Sequence, residues 1–178
     1  MKKVVRSLAL LWVFGCPVTQ AATSEYQLEA VFLFNFTQFV EWPAQTFASA
    51  DSPLLLCVLG EDPFGDMLDN IVRGENVSGH PLVIERHRDA ATVNRCHILF
   101  FAPSEMQTYK PVLQKLKNTS VLTVGGFEGF ALNGGIIRFL VIDRKLRLRI
   151  NINAMRDAGL GISSKLLRQA DLIGYGED

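Results

Sequence analysis

The stretch IIRFLVIDRKLRLRINI, residues 136–152, decides how the rest of the chain is read. Its second half alternates without a fault: Leu146, Leu148, Ile150 and Ile152 fall on one face, Arg147, Arg149 and Asn151 on the other. A period of two is the mark of a half-buried strand. The first half, Ile136 to Ile142, is almost wholly apolar and rich in β-branched residues, as a more deeply buried strand is. Asp143-Arg144 interrupts the two with a short polar break, so the stretch predicts a β-hairpin of undetermined turn type. A two-residue loop would set Val141 opposite Leu146, Phe139 opposite Leu148 and Arg138 opposite Arg149. Like charges directly across a ladder repel, so solvent, a nearby acid or a bound anion has to relieve that last pair.

The 178-residue chain, 48% hydrophobic and 20% charged, is long enough for one domain with a proper core. Its formal net charge of zero gives nucleic acid no bulk electrostatic attraction. Residues 1–21 read as a secretory leader: Lys2, Lys3 and Arg6 precede the apolar run Leu8 to Phe14, and Thr19-Gln20-Ala21 offers a small-residue cleavage site. Val13-Phe14-Gly15-Cys16 is a poor lipobox because of Phe14, so cleavage near Ala21 is preferred to lipidation of Cys16. The exported domain is then residues 22–178, with 15 basic residues against 18 acidic ones. It keeps two cysteines, Cys57 and Cys96. An oxidising compartment favours a disulfide between them over metal or thiol chemistry. A loop of that length could contribute on the order of 3–4 kcal/mol in the chain-entropy account. A structural staple is the first reading and a redox switch the second.

Outward from the hairpin, the chain alternates strands and helices. Ser24 and Gln27 form a capping box for a helix from about Glu25 to Val40, apolar on nearly every side, ended by Glu41-Trp42-Pro43. Leu54 to Leu59 predicts a buried strand. Asp62 and Pro63 then suit the N-cap and first turn of a helix to about Val72. Pro81 to Glu85, His97 to Ala102 and Ser120 to Val124 are further strands, and Pro103-Ser104 opens a helix to about Lys117. The glycine-rich segment Gly125 to Gly135 leads into the hairpin. Past it, Ala154 to Ala158 and Ser164 to Leu172 read as short helices flanking Gly159-Leu160-Gly161. The pattern predicts a single α/β domain: a mostly parallel sheet flanked by helices, with a C-terminal antiparallel β-hairpin.

No catalytic constellation emerges. The glycine segment fits neither phosphate-binding fingerprint, and there is no nucleophile elbow. His80, His87 and His97 lack short metal spacing; His97 beside Cys96 has no further ligands at typical offsets, so no metal and no cofactor is expected. Asp62, Asp66 and Asp69 are read as caps and a solvated helix face. Two surfaces remain as binding candidates. Met155, Leu160, Ile162 and Leu166 crowd helices too brief to stand alone, and an apolar face left over there would suit a protein partner. Arg138, Arg147 and Arg149 would share one face of the hairpin and could anchor an anion, although a solvated face is the plainer reading.

A series of short motifs, in order, resembles the YfiR-like family of periplasmic proteins. It starts with Glu25-Tyr26-Gln27-Leu28 and Phe39-Val40-Glu41-Trp42-Pro43, then Gly60-Glu61-Asp62-Pro63-Phe64-Gly65 and Cys96-His97-Ile98-Leu99-Phe100. Ser104-Glu105, Val121-Leu122-Thr123-Val124, Gly129-Phe130-Ala131, Gly134-Gly135 and Ile150-Asn151-Ile152 follow. Ala158-Gly159-Leu160-Gly161-Ile162-Ser163-Ser164-Lys165-Leu166-Leu167 completes it. The resemblance implies an α/β fold, no enzymatic activity, and repression of an inner-membrane diguanylate cyclase, or another membrane sensor, through its periplasmic sensor domain. It also implies sequestration by an outer-membrane lipoprotein and control of cyclic di-GMP and biofilm formation. Cys57 and Cys96 match the pair the family bridges structurally; the second pair of better-known members, near the glycine segment and hairpin, has no counterpart here. The competing expectation is a periplasmic small-molecule or anion-binding protein feeding a different sensor, and a second copy of the chain is a further candidate partner.

Overall fold

The computed structural model describes residues 19–174, with side chains from Glu25 onward. The leader and Cys16 fall outside these residues, except that Thr19–Ala21 open the first helix. In chain order the elements are helix α1 (Thr19–Phe39), strands β1 (Val40–Glu41) and β2 (Leu54–Leu59), helix α2 (Asp66–Val72), and strands β3 (Asn76–Val77), β4 (His80–His87) and β5 (Ile98–Phe101). Then come helix α3 (Tyr109–Leu116), strands β6 (Leu122–Gly125), β7 (Ile137–Ile142) and β8 (Lys145–Asn151), and helix α4 (Ile152–Asp157). Strand β9 (Gly161–Ile162), helix α5 (Ser164–Leu167) and strand β10 (Ala170–Ile173) close the chain. Eight strands form one sheet in the order β10-β8-β7-β6-β5-β2-β4-β3. Its five central strands run parallel in the second-first-third-fourth-fifth order of a doubly wound sheet.

The hairpin forms as the alternation predicts. Val141 faces Leu146, Phe139 faces Leu148 and Arg138 faces Arg149. Asp143 and Arg144 take φ of 51° and 59°, so the turn is type I′, the two-residue connection whose twist matches that of the strands. The charge conflict is relieved by an acid: Arg149 Nε donates to Asp171 Oδ2 at 2.6 Å. Asp171 lies on β10, which pairs parallel to β8 with Asp171 beside Arg149.

Each face of the sheet carries its own apolar layer. Ala30, Leu33 and Phe36 of α1, with Leu68 and Val72 of α2, cover Leu56, Val58, Phe100, Phe139 and Leu148 on one side. The Phe36 and Phe139 rings stack at 5.9 Å. On the other side Tyr109, Val112 and Leu113 of α3 cover Leu59, Leu99, Phe101 and Phe130. Phe130 is seated by a missing side chain, since a Cβ on Gly135 would stand 2.2 Å from its ring. Cys57 of β2 is bonded to Cys96, just before β5, so the disulfide staples two neighbouring central strands.

Several local expectations need correction. The described part of helix α1 already runs from Thr19, so Ser24 lies inside the helix and not at its start; the good helix formers Ala21 and Ala22 let the helix continue toward the N-terminus. Asp62 is not the N-cap of α2: its Oδ1 accepts from Phe64 N at 2.8 Å in a local turn, and Gly65, at φ 51°, holds the cap position. The helix expected from Pro103 divides into a 3₁₀ turn, Pro103–Gln107, and α3. Ile152 starts helix α4 rather than ending β8, because Asn151 Oδ1 accepts from Ala154 N at 3.0 Å as an N-cap. The last helix stops at Leu167, and the residues after it form β10. Pairing with β8 and the Arg149–Asp171 contact outweigh local helix propensity there.

Phe36 is fully buried in the stack that joins α1 to the hairpin. Phe36→Ala is expected to cost about 3–5 kcal/mol, read as a lower urea midpoint with an unchanged slope.

Candidate functional site

The C-terminal segment is bound to the start of the chain by a two-strand ribbon. Val40 of β1 pairs antiparallel with Ile162 of β9, and Ser163 N donates to Phe39 O at 2.8 Å. Lys165 Nζ sits 5.4 Å from the Phe39 ring centre, within cation–π range. Of the four apolar residues proposed for a partner, Leu160 and Leu166 are 5% and 6% exposed and belong to the main core. They are structural anchors and present no surface. Met155 and Ile162 are half-buried against that core. The glycines do not strip the segment of internal packing; they let its backbone pass close to β1, where a Cβ on Gly161 would meet Glu41 at 3.3 Å.

The three arginines share a face, as their register requires, but their guanidinium groups have different surroundings. Arg149 is neutralised by Asp171. Arg147 is exposed on the outer strands. Arg138, by contrast, is half-buried, with a buried Nε that has no hydrogen-bond partner among the described residues. No anion cradle is built from the three together.

The acidic residues of the β2–α2 connection serve structure. Arg86 on β4 reaches Asp62 and Asp69, both at 2.6 Å, and donates to Gly65 O at 3.2 Å. Hydrogen bonding from Arg86 holds the Asp69 carboxyl below its ordinary range. His97 is also structural. Its Nδ1 accepts from Leu55 N at 3.0 Å, its carbonyl accepts from Trp42 Nε1, and its ring stacks on Phe47 at 4.5 Å. Burial, and then nearby His80, lower its pKa to about 4, so the ring is neutral at pH 7. His87 lies beside the disulfide, with a nitrogen and the Cys57 and Cys96 sulfurs all within 4.8 Å of one another. Sulfurs bonded to each other are not thiolates and cannot ligate as such, so the oxidised cluster offers a metal one imidazole.

Glu29 escaped the sequence reading. It lies on the stripe Glu29, Leu33 and Phe36 of α1, which faces the core, and it is only 4% exposed. A carboxyl in the apolar stripe of an otherwise hydrophobic helix was the available signal. Its Oε2 is buried with no hydrogen-bond partner among the described residues. Burial, and then the charge of Glu25, push its pKa up to about 8, so it is mainly a neutral acid at pH 7.

The sequence matches a protein family described as YfiR/HmsC-like over residues 26–171, from the first turns of the described part of α1 to Asp171 on β10. No curated protein matches it. Among the described residues no helix is long and apolar enough to cross a membrane.

Glu29 and His97 give opposite slopes of stability against pH. Glu29, raised when folded, stabilises fully below its unfolded pKa and loses that contribution as pH rises toward about 8. His97, depressed when folded, contributes fully above its unfolded pKa and loses this as pH falls toward about 4. Between pH 6.5 and pH 8, Glu29 therefore dominates. Stability should fall by about 1–2 kcal/mol across that window in denaturant titrations, and Glu29→Gln should flatten this limb.

Proposed function

The chain belongs to the YfiR/HmsC-like family, and we propose that it is a periplasmic regulatory binding protein rather than an enzyme. It represses an inner-membrane diguanylate cyclase by occupying the cyclase's periplasmic sensor domain. While it is bound, cyclic di-GMP stays low and biofilm formation is held back. Capture of the protein by an outer-membrane lipoprotein frees the cyclase. The observation that carries this reading is the family match, which extends over nearly all the elements described above. The fold suits the role. A doubly wound sheet with helices on both faces, stapled by Cys57–Cys96, gives a rigid body whose outer segments can dock without the core rearranging.

Docking is assigned to the surface around Met155 and Ile162, the part of the C-terminal apolar cluster that solvent reaches. Leu160 and Leu166 support it from below. A half-buried apolar patch on short elements, next to the two-strand ribbon of β1 and β9, suits the middle of a protein interface.

Deleting the gene should raise cellular cyclic di-GMP several-fold, and affinity capture of tagged protein should recover an inner-membrane protein with a periplasmic sensor and a cyclase domain. Unchanged cyclic di-GMP together with no such protein in the capture overturns the reading. Met155→Asp and Ile162→Asp should keep the wild-type circular dichroism spectrum, weaken co-purification at least about tenfold and release the cyclase, as removal of a central contact does. If both folded variants repress and co-purify like wild type, docking occurs on another face.

A further inference from the structure

A cavity of about 550 Å³ lies where the N-terminal half of α1 passes over the carboxyl ends of β5, β6 and β7. That volume is in the usual range for small-molecule sites, and the carboxyl edge of a doubly wound sheet is where such crevices form. Its walls are mainly apolar, from Phe100 and Met106 on the β5 side, Phe127 after β6 and Phe139 on β7. Four residues with polar or charged side chains line it as well: Glu25, Tyr26, Glu29 and Arg138. Glu29 Oε2 and Arg138 Nε are both buried and lack hydrogen-bond partners among the described residues. Nor do the two side chains pair with each other as a salt bridge there. Buried polar atoms are almost always satisfied, and two exceptions on one cavity mark a place where a third molecule completes the bonding.

We propose that this cavity binds an amphipathic monocarboxylate, its head held by Arg138 and Glu29 and its hydrocarbon or aromatic body lying among Phe100, Phe127 and Phe139. A guanidinium is planar and meets a carboxylate with parallel N–H donors, which gives both charge and direction. Glu29, protonated, donates its O–H to the same head, as a neutral acid in an apolar site can. The site therefore presents donors, and an acceptor-only head matches them. A phosphate dianion would have one guanidinium to balance two charges, with Glu25 on the same wall, and be poorly compensated. The charged and titratable groups on the cavity wall are Glu25, Tyr26 and Glu29 on α1 and Arg138 on β7; the β5 and β6 sides bring none. Burial, and then Glu29 and Glu25, keep the Tyr26 hydroxyl protonated, so Glu29 is the group whose proton governs the site near neutrality. This inference concerns the purified protein alone and stands or falls independently of the cyclase reading.

Isothermal titration calorimetry with sodium octanoate, using octylamine, octanol and inorganic phosphate as comparisons, tests it. Octanoate should bind saturably at one site at pH 7, and more tightly than the other three. Arg138→Gln should weaken it at least about tenfold, the usual effect of removing one partner of a charge-assisted pair. Between pH 7 and pH 9 the wild-type affinity should fall about tenfold as Glu29 ionises, while Glu29→Gln keeps its affinity across that range. No saturable octanoate binding by folded protein overturns the proposal. So does tighter binding of octylamine or phosphate, an Arg138→Gln variant that binds octanoate as wild type does, or a pH dependence that persists in Glu29→Gln.

Discussion

The ring stack between Phe36 and Phe139 is the contact on which the architecture turns. It fixes the long first helix to the seventh strand and so makes a distant N-terminal segment one layer of the core. The stack exists only because the hairpin has one register. The type I′ turn at Asp143-Arg144 puts Phe139 opposite Leu148 on the face toward α1; a slip of one residue would send both to the other face. Asp171 then confirms that register from outside, because its ion pair with Arg149 on the adjacent strand requires the arginine to stay on its own face.

The middle of the sheet is held differently. Strands β2, β5 and β6 are buried on both faces, so their hydrophobic runs bring little directional information. Specific tethers supply it. The disulfide links β2 to the entrance of β5, and His97 receives the Leu55 amide while Trp42 binds its carbonyl. Arg86 joins β4 to the turn after β2. Polar side chains that a motif search would offer as catalytic or metal-binding are thus largely engaged in holding neighbouring segments. Arg86, Asp62 and Asp69 bond one another, and His97 is bonded through Nδ1 and its carbonyl, although its Nε2, like that of His87, is buried without a partner among the described residues.

Glu29 and Arg138 stand apart because their unpartnered buried atoms belong to residues that line one cavity. Both lie at the carboxyl edge of the parallel strands, where β7 leaves β6 after only two paired positions and α1 runs past without closing the gap. A neutral carboxyl among apolar side chains costs far less than a charged one, which is why the fold tolerates Glu29 and why its pKa is displaced.

How much of this was legible in advance follows from the range of each interaction. Periodicity along the chain predicted the hairpin, its pairing and even the arginine conflict, because a strand's face is set by a period of two and by nothing remote. The alternation of apolar runs with helices announced a mostly parallel sheet, and the two cysteines expected to remain after a leader pointed to their bridge. The motifs that resemble a known family extended that reading to function. The partner of Arg149, the β10 strand, the division of the helix after Pro103 and the burial of Leu160 and Leu166 were not legible. Each depends on what lies across the sheet or against the segment, and local propensity contains no record of that. The cavity belongs to the same class. Glu29 and Arg138 are 109 positions apart in the chain, and only the winding of α1 over the carboxyl ends of the strands makes them two walls of one space.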